Sequence, residues 1–577
     1  MGLSLPRFLC PALLAGCILP ALIAAPQLRL VNAAVGPVSV AQGANGPVQT
    51  VEAYNIGDGN LSLSATSSAS WASPSVGAPR ACSTQPGVCI PIQIALNTAS
   101  LARGAFTSIV TVRDPNAIDA PQTITVTVQV GGGVPDRIQL YVPPDGSADE
   151  VRFATNSQLS LTPATQSGGD WLTATLDGAG SFRFVYPWVV RASHQPGMAE
   201  GSYTGTVTVA NSAFAPDNKS IPVSLTVTSR PIATVTPQRL RLRVAQNAPR
   251  QWANLIIGNR GMGTLAISGA AATTASGGNW LEAERIPGYD IVQVKVTSGT
   301  LANGVYQGTV TVTTNAANAS LSVPVELEVV PQAAPWAYFQ GAVNNATYEA
   351  GEAVPQGGLV ALYGEQFSFG DPATPTALPL PDSLGGVQVL LNDQSVPLFY
   401  TSYGQINFQV PYSAQPGPAR VRVVRDRAPG NQISVEITSR APRLLRLGIG
   451  NYGIVVNQDG SFPIKTTPGV NTRPAKSGDV LVMYAIGLGP TSPPAGTGQA
   501  APDSPLAQTP DTLVFFGSSG ITAGVPVTPI FAGLTPRFVG LYQINVVVPE
   551  DPPKGDRVPV RIVTGGAASN SVEIAIQ

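Results

Sequence analysis

Apolar and polar residues alternate with a period of two along most of this chain. In Tyr203-Thr204-Gly205-Thr206-Val207-Thr208-Val209, Tyr203, Gly205, Val207 and Val209 share one face and the three threonines share the other. That alternation marks a strand with one buried and one wet side. Phe106–Val112 and Tyr306–Val312 read the same way. A further strand follows each of them, with apolar phases Ile124/Val126/Val128/Val130, Ile221/Val223/Leu225/Val227 and Leu321/Val323/Val325/Leu327/Val329. Pro222 and Pro324 lie on the polar phase near strand starts, which predicts edge strands that tolerate a missing donor. No helical period competes. Sheets this short need a facing sheet to cover their apolar side, so the pattern predicts an all-β chain of tandem immunoglobulin-like β-sandwich domains.

The strands recur in register with other landmarks. Asn55-Ile56-Gly57 precedes Trp71, and Asn259-Arg260-Gly261 precedes Trp280. Gly168-Gly169-Asp170-Trp171-Leu172 matches Gly277-Gly278-Asn279-Trp280-Leu281. The C-terminal third is a separate duplication: Gly404-Gln405-Ile406-Asn407 is echoed by Leu541-Tyr542-Gln543-Ile544-Asn545, and the strand into Tyr363-Gly364 by the one through Tyr484. The predicted domains are a signal segment 1–25, Ig-like units 33–131, 134–229 and 231–330, and β-sandwich units 336–440 and 443–577. Short proline-containing linkers such as Ser229-Arg230-Pro231 predict a rod-like array. Trp336 and Phe339 would pin the junction at the start of the C-terminal third.

The order of Asn-x-Gly turn, Trp-Leu, Tyr-x-Gly-x-Val-x-Val and a closing Pro-Val-x-Leu-x-Val strand resembles the BACON family of immunoglobulin-like modules over about residues 35–330. Residues 336–577 resemble an uncharacterised C-terminal domain family of large exported acidobacterial (Solibacter-type) proteins. The resemblance implies export, a surface setting and, for some BACON members, carbohydrate or mucin contact. It carries over no ligand-binding residue, because the matching positions read as structural.

Composition narrows the function. The 577 residues carry 11% charged residues and a formal net charge of -1, so no basic field exists to draw nucleic acid. Arg7 followed by the apolar run Phe8–Ala25 reads as an export signal. Leu14-Ala15-Gly16-Cys17 also matches a lipidation signal, with Cys17 the modified residue; membrane attachment is expected only through that lipid or an uncleaved signal. Past the signal, Cys82 and Cys89 flank a Pro86-Gly87 turn and predict a loop disulfide.

Catalytic patterns are tested and rejected. His194 is the only histidine and sits in a turn-like loop, so a serine-type triad has no partners. Gly448-Ile449-Gly450-Asn451-Tyr452-Gly453 matches a dinucleotide loop but is followed by a strand pattern, not a helix. The turns around Asp145 and Asp459 lack EF-hand spacing. Glu282 and Glu284 share one strand face rather than opposing each other across a cleft. No cofactor, metal or catalytic residue is expected. Trp71, Trp171 and Trp280 read as core. Trp188, with Tyr186, has no counterpart in the other repeats and is the expected surface contact. The expectation is a non-enzymatic extracellular or cell-surface protein for adhesion or weak glycan binding, its partner a polysaccharide or an envelope protein. The alternative is a structural stalk.

Overall fold

The computed structural model describes residues 25–155, 157–177, 186–448, 450–466, 469–519 and 524–577. Nearly all of the expected signal segment, Cys17 included, lies outside them. The described residues form ten sheets arranged as five two-sheet sandwiches, each around its own apolar core. The only helical element described is a single 3-10 turn, Ala215–Asp217.

The first module sets the plan. One sheet runs Leu28–Leu30, Gly46–Asn55, Val88–Leu96, Ala72–Val76; the other runs Ala34–Val40, Gln122–Val130, Gly104–Arg113, Ser64–Ser67. Its sheet starts at Leu28, which pairs with Asn55, ahead of the expected start at 33. The early strand Ala34–Val40 pairs in parallel with the last one, Gln122–Val130. The same parallel closure recurs as Ile138–Val142 on Ser220–Val227, Leu240–Ala245 on Ser320–Val330, and Val354–Pro355 on Ala428–Thr438. Pro222 and Pro324 are not on edge strands, which corrects that expectation. Ser220–Val227 and Ser320–Val330 are interior, but their parallel neighbours begin only at Val223 and Val325, so each proline sits where no acceptor awaits a donor.

The repeated residues make repeated contacts. Asn55 Oδ1 accepts the amides of Gln27 and Gly57, and its Nδ2 donates to Gly59; Asn259 does the same with Ile232, Gly261 and Gly263. Trp171 and Trp280 donate their indole N–H to the carbonyls of Ser167 and Ser276 at 2.8 and 2.9 Å. Gly168 and Gly277, both at positive φ, lie against the rings of Tyr203 and Tyr306, where a Cβ would collide at 2.6 Å. In the duplicated C-terminal third, Ala361 faces Asn407 and Val482 faces Asn545. Gln405 donates to Asn407 and Gln543 to Asn545 in the same 2.8 Å side-chain bond.

The modules do not lie end to end as a rod; the array folds back so that the first module packs on the fourth. Asp119, in a left-handed backbone conformation (φ 61), places a fully buried carboxylate in that contact. It accepts bonds from Arg29 Nη1 (2.5 Å), Gln27 Nε2 (2.7 Å), and the amide (2.6 Å) and hydroxyl of Ser434. The Asp119 amide donates to the carbonyl of Gln432 at 2.9 Å. The third module joins both neighbours: Arg241 donates to Thr107, and Arg243 pairs with Glu365. The second module is tied in by Arg103–Asp136 and Arg260–Asp149.

Two outcomes follow. Asp119→Ala leaves Arg29 without its anion inside a contact, and removing one partner of a buried pair costs about 3–5 kcal/mol. The first unfolding transition in denaturant should move down accordingly and the radius of gyration from small-angle scattering should rise; unchanged values of both would refute the fold-back. Cys82 and Cys89 are bonded with a separation of 7 residues. Cys82→Ser with Cys89→Ser should lower the stability of the first module by about 2–3 kcal/mol on the chain-entropy argument, read as a lower denaturant midpoint.

Candidate functional site

The third module shows two unlike outer faces. On one sheet, Arg241 and Arg243 alternate with Leu240, Leu242 and Val244, and register places them beside Glu326 and Glu328. This charged face is covered by the first and fourth modules. The opposite sheet, Ala233–Thr236, Gln251–Asn259, Ile291–Val296, Leu281–Arg285, is bare. Its outer rows are Trp252–Lys295–Glu282 and Asn254–Gln293–Glu284, with Ile256 beside Ile291. Trp252 is 54% exposed, Ile256 59%, and Tyr289 in the adjoining hairpin turn 64%. Lys295 Nζ pairs with Glu284 at 2.5 Å and Arg250 with Glu282 at 3.3 Å, giving an exposed aromatic-aliphatic strip bordered by paired charges.

Where the first, third and fourth modules meet, charge is buried. Glu365 is 3% exposed; Tyr338 Oη donates to it at 3.0 Å and Arg243 pairs with it while reaching Glu328 at 3.3 Å. Burial pushes the carboxyls of Glu328 and Glu365 above the ordinary glutamate range, and Arg243 opposes the shift in both. The Arg243 guanidinium lies 4.7 Å over the Trp336 ring and that of Arg29 4.8 Å over Phe339. The two aromatics therefore bind the start of the C-terminal third to both earlier modules. A pocket of about 440 Å³ lies among these groups.

Beside it opens a larger cleft of about 1060 Å³ between the same three modules. Arg113, Arg243, Arg420 and Arg422 line it, against two carboxylates, Asp114 and Asp393. Asp114 is already bonded to the amides of Ser62 and Asn116. Desolvation, and then the Arg243 cation, pull Arg113 below the ordinary arginine value, with Glu365 opposing. The indole nitrogen of Trp336 and Nε of Arg422 are buried and bonded to nothing.

The residues expected from sequence fall as follows. Trp71, Trp171 and Trp280 are core. Trp188 is core as well, which corrects its assignment as a surface contact. It is 5% exposed, its Nε1 donates to Thr155 Oγ1 at 2.9 Å, and it shares its inward phase with Val190 and Ala192. Tyr186 is half-buried against the same core. His194 Nε2 meets the carbonyl of Met198 at 3.2 Å within its loop. A strand, Val455–Asn457, follows Gly453. Asp145 and Asp459 are occupied by their own turns, bonding Ser147 and Ser461. Among the described residues no group of three or more His, Cys, Asp or Glu could hold a metal, and no helix is long and apolar enough to cross a membrane. Sequence reasoning missed Trp252 and the arginine cleft. Trp252 could have been found from its phase, which it shares with Asn254 against Leu255 and Ile257.

No known family profile matches the chain, and no curated protein matches it. Solved structures with similar arrangements include an endo-fucoidan hydrolase of glycoside hydrolase family 107 (TM-score 0.18, 12% identity, 54% of this chain and 45% of that one). Others are Drosophila N-cadherin extracellular domains 1–4 (0.19, 12%, 65% and 92%) and the human desmocollin-1 ectodomain (0.16, 9%, 94% and 97%). The match spans less than half the length of the hydrolase, and likenesses this low carry no functional argument.

The buried glutamates make a pH prediction. A carboxyl whose folded pKa is raised favours folding when protonated, so its contribution is complete below the ordinary value of 4.5 and is lost as pH rises through the raised value. Carboxyls held low, such as Glu52 by Ser83 and Asp136 by Lys219, act in the opposite sense and below their ordinary values. Between about pH 4.5 and neutrality the melting temperature should therefore carry a downward component from Glu328 and Glu365. Glu365→Gln should flatten it, and parallel melting curves for the two proteins across that window would count against the assignment.

Proposed function

We propose that the chain is a non-enzymatic exported protein that mediates adhesion through weak glycan or matrix contact, and that the bare sheet of the third module is its contact face. The observation that carries this reading is Trp252. It stands 54% exposed on the outer face of a sheet, whereas Trp71, Trp171, Trp188 and Trp280 are all buried. An exposed indole presents a rigid apolar plane with a polar N–H, suited to stacking on a sugar ring, and it has no role in the core that would explain it. The bordering Asn254, Gln293, Lys295 and Glu284 supply donors and acceptors for hydroxyls. A single such strip binds weakly, and a repetitive polymer raises its effect through avidity when several molecules are displayed together. The resemblance of residues 35–330 to BACON modules and the apolar leader agree with an exported carbohydrate-contacting protein.

The interlocking of the first, third and fourth modules favours a second reading, a structural component of the cell envelope with no soluble ligand. A glycan array on the purified protein separates the two. Retention of a polysaccharide that falls at least tenfold in Trp252→Ala, about 1.4 kcal/mol, with an unchanged melting temperature, supports the first. Absence of any glycan signal, with retention on envelope fractions, supports the second. Trp188→Ala should instead cost about 3–5 kcal/mol in stability as a core cavity.

A further inference from the structure

The cleft between the first, third and fourth modules has a surplus of cationic groups that no other part of the described chain explains. Arg420 and Arg422 project from the outer face of strand Gly417–Arg425, opposite in phase to Ala419, Val421 and Val423, which fill the core of the fourth module. They stand two residues apart, about 6.6 Å along the strand. Their strand partners are Ser434 and Gln432, the residues that grip Asp119 of the first module. The fold-back therefore brings Arg113, from the first module, into the same cleft.

None of these three guanidiniums has an ion pair or side-chain hydrogen bond. Arg152, Arg473 and Arg557 face carboxylates; Arg137, Arg239, Arg285 and Arg427 are unpaired too, but none of them lines the cleft. Unpaired arginines gathered in a cleft repel one another, and a buried donor left unbonded carries a desolvation cost. A fold tolerates this where an anion from outside completes the set, because the guanidinium fork binds the oxygens of a sulfate or carboxylate in bidentate fashion. With a chain net charge of -1, general electrostatic attraction does not account for anion binding, so the local constellation would have to supply it.

We propose that this cleft binds the anionic groups of an acidic polysaccharide, with Arg420 and Arg422 from the fourth module and Arg113 from the first. The remaining lining favours a saccharide over a peptide. Pro26, Pro115, Pro121, Pro331 and Pro335 present rigid apolar surfaces without backbone donors, so along them an extended peptide finds no amide to pair with. The site is distinct from Trp252, which lies on the opposite sheet of the third module, so either can fail without the other.

The test uses the full chain in affinity electrophoresis at about 0.15 M salt, where exposed charges are screened beyond about 8 Å. The probes are a sulfated polysaccharide, a polyuronate, a neutral polysaccharide and polyglutamate. Retardation by one or both acidic polysaccharides and not by the neutral one is expected, and which of the two acts tells sulfate from carboxylate. Arg420→Gln with Arg422→Gln should weaken that retardation at least tenfold. Arg113→Gln, on a different module, should weaken it as well and guards against a local folding defect in the double variant. Arg137→Gln, which removes an exposed cation outside the cleft, should leave it intact. No retardation by either acidic polysaccharide, or equal retardation of the wild type and both arginine variants, overturns the proposal. So does equal or stronger retardation by polyglutamate, which would make the ligand an acidic peptide.

Discussion

A carboxylate removed from water must find cations or donors, and that requirement shapes the array beyond its individual sandwiches. Asp119 and Glu365 are both buried where modules meet, and each completes its set of partners across a module boundary. Asp119 needs Ser434 from the fourth module, and Glu365 needs Arg243 from the third. These two needs fix the first, third and fourth modules against one another and create the cleft between them. Apolar burial explains each sandwich; it does not explain why sandwiches far apart in sequence touch.

Within a module the period-two pattern was sufficient to read the fold. The phases Ile124/Val126/Val128/Val130 and Leu321/Val323/Val325/Leu327/Val329 are those that fill the observed cores, apart from Leu321, which packs at the margin. The landmarks that made the repeats visible have equally local causes. The Asn side chain closes its turn by bonding two amides, the glycine makes room for a tyrosine ring, and the tryptophan spans the gap between sheets. Such devices depend on residues close in sequence or on neighbouring strands, so one sequence displays them.

The contacts between modules were not legible for the converse reason. Asp119 stands in Ala117-Ile118-Asp119-Ala120-Pro121, which reads as an ordinary turn, and its partner Ser434 lies 315 residues away. A proline-containing linker restricts bending but does not say at what angle it is fixed, so the expectation of a rod had no means of seeing the return. The misreading of Trp188 has a different origin. Its lack of counterparts suggested a surface role, yet its phase with Val190 and Ala192 already pointed inward. Phase outweighs rarity, because an inward position on a two-sheet core is apolar whatever the neighbouring repeats carry. Trp252 makes the complementary point: its phase-mates Asn254 and Ile256 face solvent while Leu255 and Ile257 are buried.

The third module shows how one sandwich can serve two ends. Its two sheets share a core, so neither outer face is constrained by the other. The face carrying Arg241, Arg243, Glu326 and Glu328 is spent on neighbours, and cross-strand opposite charges suit that use because they stay paired when water leaves. The opposite face keeps Trp252 and Ile256 in solvent, where apolar area persists only at a small cost unless something covers it. An arrangement that spent both faces on packing would have no free surface for contact, and one that spent neither would leave Glu365 without its cation. Division of labour between the two faces of one sandwich is therefore the simplest design in which a fixed multi-module body and an uncovered apolar strip coexist.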